Sequence, residues 1–355
     1  MTVPDVMRAV LLTSNGGYDK LEFRDDVPVP QPGAGEVLIR IGAAGVNNTD
    51  INTRIGWYSK AVTEATDVGG SDGFAAAGDD GWSGTAFAFP RIQGADACGR
   101  IVAVGVGVDP ARIGERVLVE PVFRGPGRFD AVYFGSEVDG AFSDYARAPS
   151  VHAHRIDSAL SDAELASFPC AYSAAENMLA RIALVAGESV LITGASGGVG
   201  SAAVQLARRR GAVITAMAGS EKAQAVKALG ADRVIPRDAD LASLFGAGHF
   251  DAAVDVVGGA QFSGILGSLK PGGRYGVAGA ISGPIVDLDL RTLYLKDLRL
   301  IGCTVLEPQV FPNLIGYIER SEIKPVLAAT YPRAQIVAAQ KAFLTKRHVG
   351  KVVLF

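Results

Sequence analysis

The stretch 189–210, SVLITGASGGVGSAAVQLARRR, constrains the fold of this chain more than any other, because it joins an apolar run, a glycine-rich turn and a helical pattern. The run Val190–Ile192 is typical of a strand buried on both faces of a parallel sheet. Apolar residues after the turn recur at helical spacing. Glycines in the turn would permit a tight bend and close approach of the backbone to a pyrophosphate, which the N–H groups at the helix start would face; they are Gly194, Gly197, Gly198 and Gly200.

Strand-like runs alternate with helical segments from residue 188 onward, which is typical of a doubly wound α/β domain. In that context the glycine-rich turn predicts a dinucleotide-binding domain, and a plain strand-to-helix turn in another α/β domain is the alternative. Its predicted strands are 190–193, 213–217, 233–235, 252–257, 274–277 and 299–303. Because β-rich segments precede it and a strand ends the chain, we expect ranges 1–157 (β-rich domain, first part), 158–308 (nucleotide-binding domain) and 309–355 (β-rich domain, second part).

Charge, apolar content and cysteines exclude several classes of protein. The formal net charge of −3 leaves no basic stripe for nucleic acid. Charges or glycines interrupt every apolar stretch before the roughly 20 residues that a membrane helix requires, and the first residues do not form a signal peptide. Cys98, Cys170 and Cys303 lie too far apart for a disulfide framework or a C-x-x-C zinc lobe. We therefore expect a cytoplasmic protein that binds neither nucleic acid nor membrane.

Residues 59–89 are rich in Gly, Ala, Asp, Ser and Thr and show little periodicity, which predicts a long irregular loop. Loops of this length in compact domains are usually functional or disordered, and we expect this one to cover the substrate cleft. Further on, Ser161 and Glu164 have the spacing of a helix capping box. A strand is predicted at 140–146 and a helix at 172–184.

Glycine-containing motifs occur in an order that indicates a family. They are GADACGRIVAVG at 94–105, the glycine-rich turn, LGAD at 229–232, KPGG at 270–273 and HVGKVVL at 348–354. The chain resembles the medium-chain dehydrogenase/reductase superfamily, and most closely its alcohol dehydrogenase-like, zinc-independent quinone oxidoreductase and enoyl reductase branch. The resemblance covers nearly the whole chain. It implies an α/β fold with a GroES-like β-rich catalytic domain and a doubly wound Rossmann domain.

The resemblance raises the question of a catalytic zinc. Zinc alcohol dehydrogenases of this superfamily place three ligands at positions that hold Asn47, Ala95 and Cys170 here. A tetrahedral zinc site needs three protein ligands and a water, so no metal is expected, and Cys170 is interpreted as a small buried apolar residue. The alternative is a degenerate metal site built on Cys170 and Asp96.

The pattern N-x-x-D-x-x-x-R-x-G-x-Y, which begins at Asn47, resembles that of the zinc-free quinone reductases. By that resemblance Asn47 and Tyr58 would hydrogen-bond a substrate carbonyl whose oxygen gains charge as hydride arrives, and one such donor can be worth ~100–1000-fold in rate. Thr49 matches the hydroxyl that binds alcohol in the zinc enzymes and completes the catalytic candidates. The alternatives are a turn residue for Asn47 and loop packing for Tyr58. Asp50 and Arg54 are interpreted mainly as a structural ion pair.

The tip of the second strand indicates which nicotinamide dinucleotide would bind. NAD-specific folds place a carboxylate there, and this chain does not. Ser220, Lys222 and Arg237 could instead bond a 2′-phosphate, so NADPH is the expected cofactor. The alternatives are a helix N-cap for Ser220 and a solvated helix charge for Lys222. The full set of predicted cofactor residues is Gly194, Ser196, Gly197, Gly198, Val199, Gly200, Ser220, Lys222 and Arg237, with Gly279, Cys303 and Lys351 added by the resemblance.

Together these features predict an NADPH-dependent, metal-free reductase of activated double bonds in enones, enals or quinones. Its partner would be a small electrophilic molecule, which would receive hydride at the β-carbon and a proton from Tyr58 or water. The alternatives are an alcohol or carbonyl dehydrogenase with a degenerate metal site and an NADPH-binding protein without enzymatic activity. The resemblance also implies a homodimer formed through the sheet edge near 298–305.

Overall fold

The computed structural model describes residues 3–78, 81–84, 87–127 and 129–355, so that residues 79, 80, 85 and 86 of the predicted loop lie outside the description. The strands in chain order are β1 (Val6–Leu12), β2 (Leu21–Pro28), β3 (Glu36–Val46), β4 (Arg91–Ile92), β5 (Cys98–Val104), β6 (Arg116–Val119), β7 (Val122–Arg124), β8 (Ala131–Tyr133), β9 (Tyr145–Pro149), β10 (Ala153–Arg155), β11 (Ser189–Ile192), β12 (Val213–Ala218), β13 (Arg233–Pro236), β14 (Phe250–Asp255), β15 (Leu269–Val277), β16 (Arg299–Gly302), β17 (Leu327–Tyr331) and β18 (Lys351–Leu354). The helices are α1 (Asn48–Ile55), α2 (Asp162–Leu165), α3 (Pro169–Arg181), α4 (Gly198–Arg209), α5 (Ala223–Ala228), α6 (Leu241–Phe245), α7 (Phe262–Ser268), α8 (Leu290–Tyr294), α9 (Val310–Glu319) and α10 (Ile336–Leu344). Among the described residues, none of these helices combines the length and the apolar character needed to cross a lipid bilayer.

The central sheet of the nucleotide-binding domain has the strand order β13-β12-β11-β14-β15-β16. All its neighbouring strands are parallel. The strand order reverses between β11 and β14, which opens a crevice at their carboxyl ends where open α/β sheets bind ligands. The core of β11, Val190–Ile192, is fully buried, as expected of a strand covered on both faces. Each of the six predicted strands is present, and the predicted doubly wound fold is confirmed.

The β-rich part joins the two ends of the chain. Its main sheet has the order β10-β6-β5-β3-β18-β17, and β9 also pairs with β3. Strand β18 runs antiparallel to β3 with Val352 opposite Val46, which brings the C-terminal strand next to the start of α1. Strand β17 was not predicted from the sequence. The predicted fold class, a GroES-like β-rich domain with a Rossmann domain, is confirmed, while the domain boundaries at 157/158 and 308/309 stay predictions.

The segment between α1 and β4 is irregular, as predicted. Wherever it is described it consists of turns and extended stretches without helix or strand. Two hydrogen bonds from within the segment attach it to both parts of the molecule: the Phe74 N–H donates to the carbonyl of Ile55 at 3.1 Å, and the Thr66 N–H donates to the carbonyl of Ile281 at 3.0 Å. The segment therefore reaches from α1 to the nucleotide-binding domain.

Of the local predictions, the capping box is confirmed: Oγ of Ser161 accepts from the Glu164 N–H, and Oε2 of Glu164 accepts from the Ser161 N–H. The helix predicted at 172–184 begins earlier, at Pro169, because proline suits the first turn. The strand predicted at 140–146 is wrong over most of its length, and β9 begins only at Tyr145. Its residues form a single isolated bridge to β1, between Ser143 and Ala9, and the Phe142 N–H donates to the loop carbonyl of Gln93 at 2.9 Å.

Candidate functional site

A continuous cleft lies between the β-rich part and the nucleotide-binding domain. One end, here called the chamber, has a volume of about 460 Å³, and the other, here called the groove, has a volume of about 230 Å³. The two share the lining residues Asn48, Gly198, Val199, Val256, Ile281 and Phe343. A larger cavity of about 960 Å³ near β7 and β8 shares none of these residues and lies apart from the glycine-rich turn.

The glycine-rich turn lines the groove. Gly194 has a φ of 57°, in the left-handed region that favours glycine. A Cβ on Gly200 would lie 2.1 Å from the Gly194 carbonyl oxygen, so that position cannot carry a side chain. Gly197 is the N-cap of α4, and the unpaired N–H groups of the helix start are therefore placed at the groove. The predicted residues that line it here are Gly194, Ser196, Gly197, Gly198, Val199 and Gly200.

Basic side chains surround the same groove. The lining includes the predicted Lys222 and Arg237, together with Lys346 and His348, which the sequence analysis missed. Ser220 does not belong to the lining; it is exposed at the start of a short turn whose N-cap is Gly219. The signal for these two residues was weak: His348 is the first residue of the HVGKVVL motif and Lys346 lies two residues before it, and neither belongs to a periodic pattern.

Lys346 holds a partly desolvated positive charge at the groove. Its Nζ donates to Oδ1 of Asn48 at 3.0 Å and lies 4.0 Å from the centre of the Phe343 ring. Burial lowers the pKa of Lys346 to about 8, with Asp67 opposing the shift and Lys222 adding to it. An ammonium group with a lowered pKa gains strongly from a nearby anion.

Thr49 and Tyr58 face the chamber from the first helix and the residues after it. Asn47 is the N-cap of α1, and its N–H donates to Oδ2 of Asp50 at 2.7 Å, which fixes Thr49 in the first turn. Oγ1 of Thr49 is buried and has no hydrogen-bond partner within the described part of the chain. Burial raises the pKa of Tyr58, against the opposing effect of its hydrogen bond with Asn52. Both hydroxyls are therefore protonated donors at neutral pH.

The predicted ion pair of Asp50 and Arg54 is wrong. Nε of Arg54 donates to Oε1 of Gln340 at 2.8 Å, and its remaining nitrogens donate to two loop carbonyls. The Asp50 carboxylate turns back to the helix start, where it accepts the N–H groups of Asn47 and Gly94. Burial raises the pKa of Asp50 to about 7. Backbone donors of the helix N-cap and of the loop before β5 thus outcompete the pairing that i,i+4 spacing suggests.

Trp82 and Tyr133, which the sequence analysis missed, form an aromatic wall of the chamber. Their ring centres lie 4.9 Å apart, with 26° between the ring planes. The Tyr133 hydroxyl lies 2.9 Å from Sγ of Cys170 and next to the Thr49 side chain, and burial raises its pKa. Neither aromatic residue carries a sequence signal, because one belongs to the irregular segment and the other to a three-residue strand.

Gly279 and Cys303, implied by the resemblance, line the chamber beyond the ends of β15 and β16. A Cβ on Gly279 would lie 2.9 Å from the carbonyl oxygen of Val256. The Cys303 N–H donates to the carbonyl of Val277 at 2.9 Å, and its thiol donates to the carbonyl of Ile301 at 3.4 Å. These contacts hold the backbone against the chamber.

Lys351 and Asn47 line the chamber, and both contact the fully buried Asp96. Its Nζ donates to Oδ1 of Asn47 at 2.5 Å, to Oδ2 of Asp96 at 2.6 Å and to the carbonyl of Val46 at 3.1 Å. Nδ2 of Asn47 donates to the same Asp96 oxygen at 2.8 Å. The other Asp96 oxygen accepts the N–H of Cys170 at 2.5 Å. Because the ammonium hydrogens all have protein acceptors, Lys351 approaches the groove only through its methylene chain.

These residues do not fit a catalytic zinc. The superfamily's ligand positions hold an amide, a methyl group and the thiol of Cys170, and the Lys351 ammonium adds a positive charge beside them. Burial, together with the charge of Asp96, raises the pKa of Cys170 to about 12. Only one of the three positions therefore offers a group that zinc binds well, whereas a catalytic zinc requires three protein ligands.

A second buried polar cluster, Glu120 with His152 and His154, has the spacing of metal ligands within the described residues. Oε2 of Glu120 lies 2.9 Å from Nδ1 of His152 and 3.2 Å from Nε2 of His154. Arg124 donates to the other carboxylate oxygen. Burial alone would raise the pKa of Glu120, but hydrogen bonds from the two histidines and Arg124 lower it to about 2. The arginine supplies the cation that this carboxylate requires, so an ion-pair network explains the cluster.

Comparison with known proteins agrees with the fold and the glycine-rich turn. Residues 33–158 match the alcohol dehydrogenase GroES-like domain family, and residues 198–320 match the zinc-binding dehydrogenase family. The solved structure of a putative alcohol dehydrogenase from Sinorhizobium meliloti 1021 is 45% identical, with 99% of this chain and 97% of that one covered and a TM-score of 0.88. The chain belongs to the medium-chain dehydrogenase/reductase superfamily, and it is an oxidoreductase.

Within that superfamily the chain belongs to the zinc-independent quinone oxidoreductase branch. It is 28% identical over 363 residues to the quinone oxidoreductase of Homo sapiens, with 98% of each chain covered. It is also 28% identical over 367 residues to the acryloyl-coenzyme A reductase of Metallosphaera sedula, with 98% of this chain and 99% of that one covered. The structure of mycobacterial Rv1454c in complex with NADPH is 26% identical, with 98% of this chain and 99% of that one covered and a TM-score of 0.77. The family predicted from the motifs is confirmed.

Proposed function

We propose that this protein is an NADPH-dependent, metal-independent reductase that transfers hydride to an activated C=C bond or to a quinone. The observation that carries this proposal is the Thr49 hydroxyl, which is buried without a partner among the described residues. It faces a chamber that also presents the phenols of Tyr58 and Tyr133 and continues into the groove with the glycine-rich turn. The carbonyl oxygen of an enone, enal or quinone would supply the missing acceptor.

The similar proteins support the same class of substrate. One is a quinone oxidoreductase and the other an acryloyl-coenzyme A reductase, and both align over nearly their whole length. A quinone and an unsaturated thioester share a carbonyl conjugated with a C=C bond. The common chemical feature is therefore an electrophilic carbon whose reduction places negative charge on an oxygen.

The charges of the groove favour NADPH over NADH. Lys222, Arg237 and Lys346 line it, and among the described lining residues Glu221 is the one carboxylate, exposed and 3.8 Å from Lys222. Cations that can hydrogen-bond are suited to a 2′-phosphate, whereas a free ribose diol is usually held by a carboxylate at the strand tip. The NADPH complex of the similar mycobacterial protein supports this choice.

When bound, NADPH supplies a hydride at nicotinamide C4. The chain's own task is to stabilise the charge that develops on the substrate oxygen, and the hydroxyls of Thr49 and Tyr58 would donate hydrogen bonds to it. Tyr58, kept protonated by its raised pKa, or a water molecule would supply the proton. The amide of Asn47 is engaged at both polar ends with Lys351 and Asp96, so we assign it a positioning role. The wall of Trp82 and Tyr133 would exclude bulk water.

The test is the initial rate of NADPH oxidation with a small enone and with a benzoquinone, each with and without EDTA. We expect turnover that EDTA leaves unchanged, and at least a tenfold preference for NADPH over NADH in kcat/KM. Turnover abolished by EDTA would favour the carbonyl dehydrogenase with a degenerate metal site. Tight NADPH binding without turnover of any electrophile would favour a non-enzymatic binding protein.

We also propose a homodimer formed through the edge strand β16, which lies at the end of the strand order of the described sheet. Nearby apolar side chains are open to solvent, with Leu295 71% exposed and Leu300 40% exposed. Exposed sheet edges are commonly paired or covered. Light scattering after gel filtration should give twice the chain mass for the wild type, and the chain mass for an L295K/L300K variant.

A further inference from the structure

The Lys351 ammonium lies against the place where zinc members of the superfamily bind their catalytic metal. Two of the three ligand positions, those of Asn47 and Cys170, adjoin the cluster: Asn47 accepts from Nζ directly, and Cys170 is reached through Asp96. We propose that Lys351 is a built-in cation that takes over the organising role of the metal in this chain. It is a positioning residue, since its ammonium hydrogens bond protein acceptors and none is free for the substrate.

The ammonium connects separate parts of the chain. Its acceptors are the carbonyl of Val46 at the end of β3, the amide of the α1 N-cap Asn47, and Asp96 in the loop before β5. Through its other oxygen, Asp96 accepts the N–H of Cys170 in the first turn of α3. A single positive group therefore fixes the starts of α1 and α3 relative to each other, as a metal does by gathering ligands from distant segments.

The same residue also contacts the glycine-rich turn. A Cβ on Gly198 would lie 2.9 Å from Cδ of Lys351, so the methylene chain of Lys351 packs against the first residue of α4. One residue earlier, the Gly350 N–H donates to the carbonyl of Ser196 at 3.0 Å. Lys351 thus joins the helix that presents Thr49 to the turn that faces the cofactor. A displacement of about 1 Å between reacting groups can cost about 100-fold in rate.

The Lys351 and Asp96 side chains are buried, so removing one charge should affect stability differently from removing both. Lys351 is 3% exposed, and Asp96 is fully buried. Removing only the lysine would leave an unpaired buried carboxylate, which is strongly destabilising, whereas removing both charges together is often tolerated. A pair of variants can therefore distinguish a cation that merely neutralises Asp96 from one that also sets the geometry of the chamber.

The experiment compares K351M with the D96N/K351M double variant, using kcat, the Kd for NADPH and the Tm. K351M should lower the Tm by about 5–10 °C because a buried carboxylate loses its partner. The double variant should regain most of that Tm. Its kcat should nevertheless stay at least about 30-fold below the wild type, with less than a threefold change in the Kd for NADPH, because the link between α1, α3 and the turn is lost. Recovery of kcat together with the Tm would overturn the proposal.

The kcat comparison rests on the proposed function, because it requires a substrate that the enzyme reduces. A second measurement needs no turnover and therefore tests the inference about Lys351 separately. The metal-free wild-type protein is titrated with Co²⁺ and its absorption spectrum is recorded. We expect no thiolate-to-cobalt charge-transfer band, because Lys351 occupies the cation position beside Cys170. A stoichiometric band would overturn the proposal even if no enone or quinone is reduced. Absence of turnover in the wild type, with the Co²⁺ and Tm results as expected, would count against the proposed function alone.

Discussion

Nζ of Lys346 donates a hydrogen bond to Oδ1 of Asn48 at 3.0 Å, and this contact joins the second part of the β-rich domain to the first residue of α1. Asn48 lines both the chamber and the groove. The Lys346 cation that lines the groove is therefore attached to the helix that carries Thr49. Occupation of the groove by an anion and the placement of Thr49 in the chamber are structurally connected.

Replacement of Lys346 by methionine should weaken NADPH binding. A hydrogen bond to a charged group is worth about 1.5–3 kcal/mol, which corresponds to a roughly 10–160-fold increase in Kd. K346R should bind within a fewfold of the wild type because it keeps the charge. Fluorescence titration measures Kd directly. An unchanged Kd in K346M would remove Lys346 from the cofactor site.

The lowered pKa of Lys346 predicts a pH dependence of the same binding step. The free protein has a pKa of about 8 for this group, chiefly because of burial, so the ammonium form that attracts phosphate is depleted as the pH rises through 8. Wild-type Kd for NADPH should be flat from pH 6.5 to 7.5 and increase above pH 8. K346M should lack this increase. A wild-type Kd that stays constant to pH 9.5 would contradict the assignment.

Replacement of Thr49 by valine should lower kcat without destabilising the fold. If the hydroxyl stabilises the developing oxyanion, its loss should reduce kcat roughly 100-fold, while T49S should keep most of the activity. Because Oγ1 has no partner among the described residues, valine removes an unsatisfied buried group, and the Tm should stay the same or increase. A T49V enzyme with wild-type kcat would show that another group stabilises the substrate oxygen.

The parts of the site that could be predicted from the sequence are those formed locally. The glycine-rich turn was identifiable because strand, turn and helix follow one another within 189–210, and each glycine has a steric reason that the structure bears out at Gly194 and Gly200. The strand pattern of the Rossmann domain was identifiable for the same reason, because buried parallel strands are continuous apolar runs.

The parts that could not be predicted depend on contacts between distant segments. Lys351 reaches Asn47 only because β18 pairs with β3 in one register, and a shift of one residue would turn its side chain to the other face. Trp82 and Tyr133 meet through an irregular segment and a short strand, which carry no periodic signal. The predicted pair of Asp50 and Arg54 failed because helix spacing says nothing about the backbone donors that compete for a carboxylate.

Replacement of Trp82 by alanine should affect binding of flat aromatic substrates more than of small ones. Trp82 stacks on Tyr133 in the chamber wall, and an aromatic contact of this kind is worth about 0.5–1.5 kcal/mol, or roughly 2–10-fold in KM. We expect KM for a naphthoquinone to increase within that range, and KM for a small enone to change less. V68A, at a residue of the same segment that is 69% exposed, is the matched control. Equal effects of W82A on both substrates would argue against stacking.

The Glu120 cluster predicts a stability change at acidic pH that is independent of catalysis. Hydrogen bonds from His152, His154 and Arg124 lower the pKa of Glu120 from 4.5 to about 2, so its contribution to the free energy of unfolding is complete above pH 4.5 and is lost as the pH falls through 2. A shift of this size corresponds to roughly 3 kcal/mol.

Chemical denaturation should show E120Q less stable than the wild type at pH 6, with the difference shrinking between pH 4.5 and pH 2. E22Q, at an exposed carboxyl group on β2, should match the wild type throughout. If the free energies of unfolding of E120Q and the wild type differ as much at pH 2 as at pH 6, then packing, and not the charge of Glu120, stabilises this cluster.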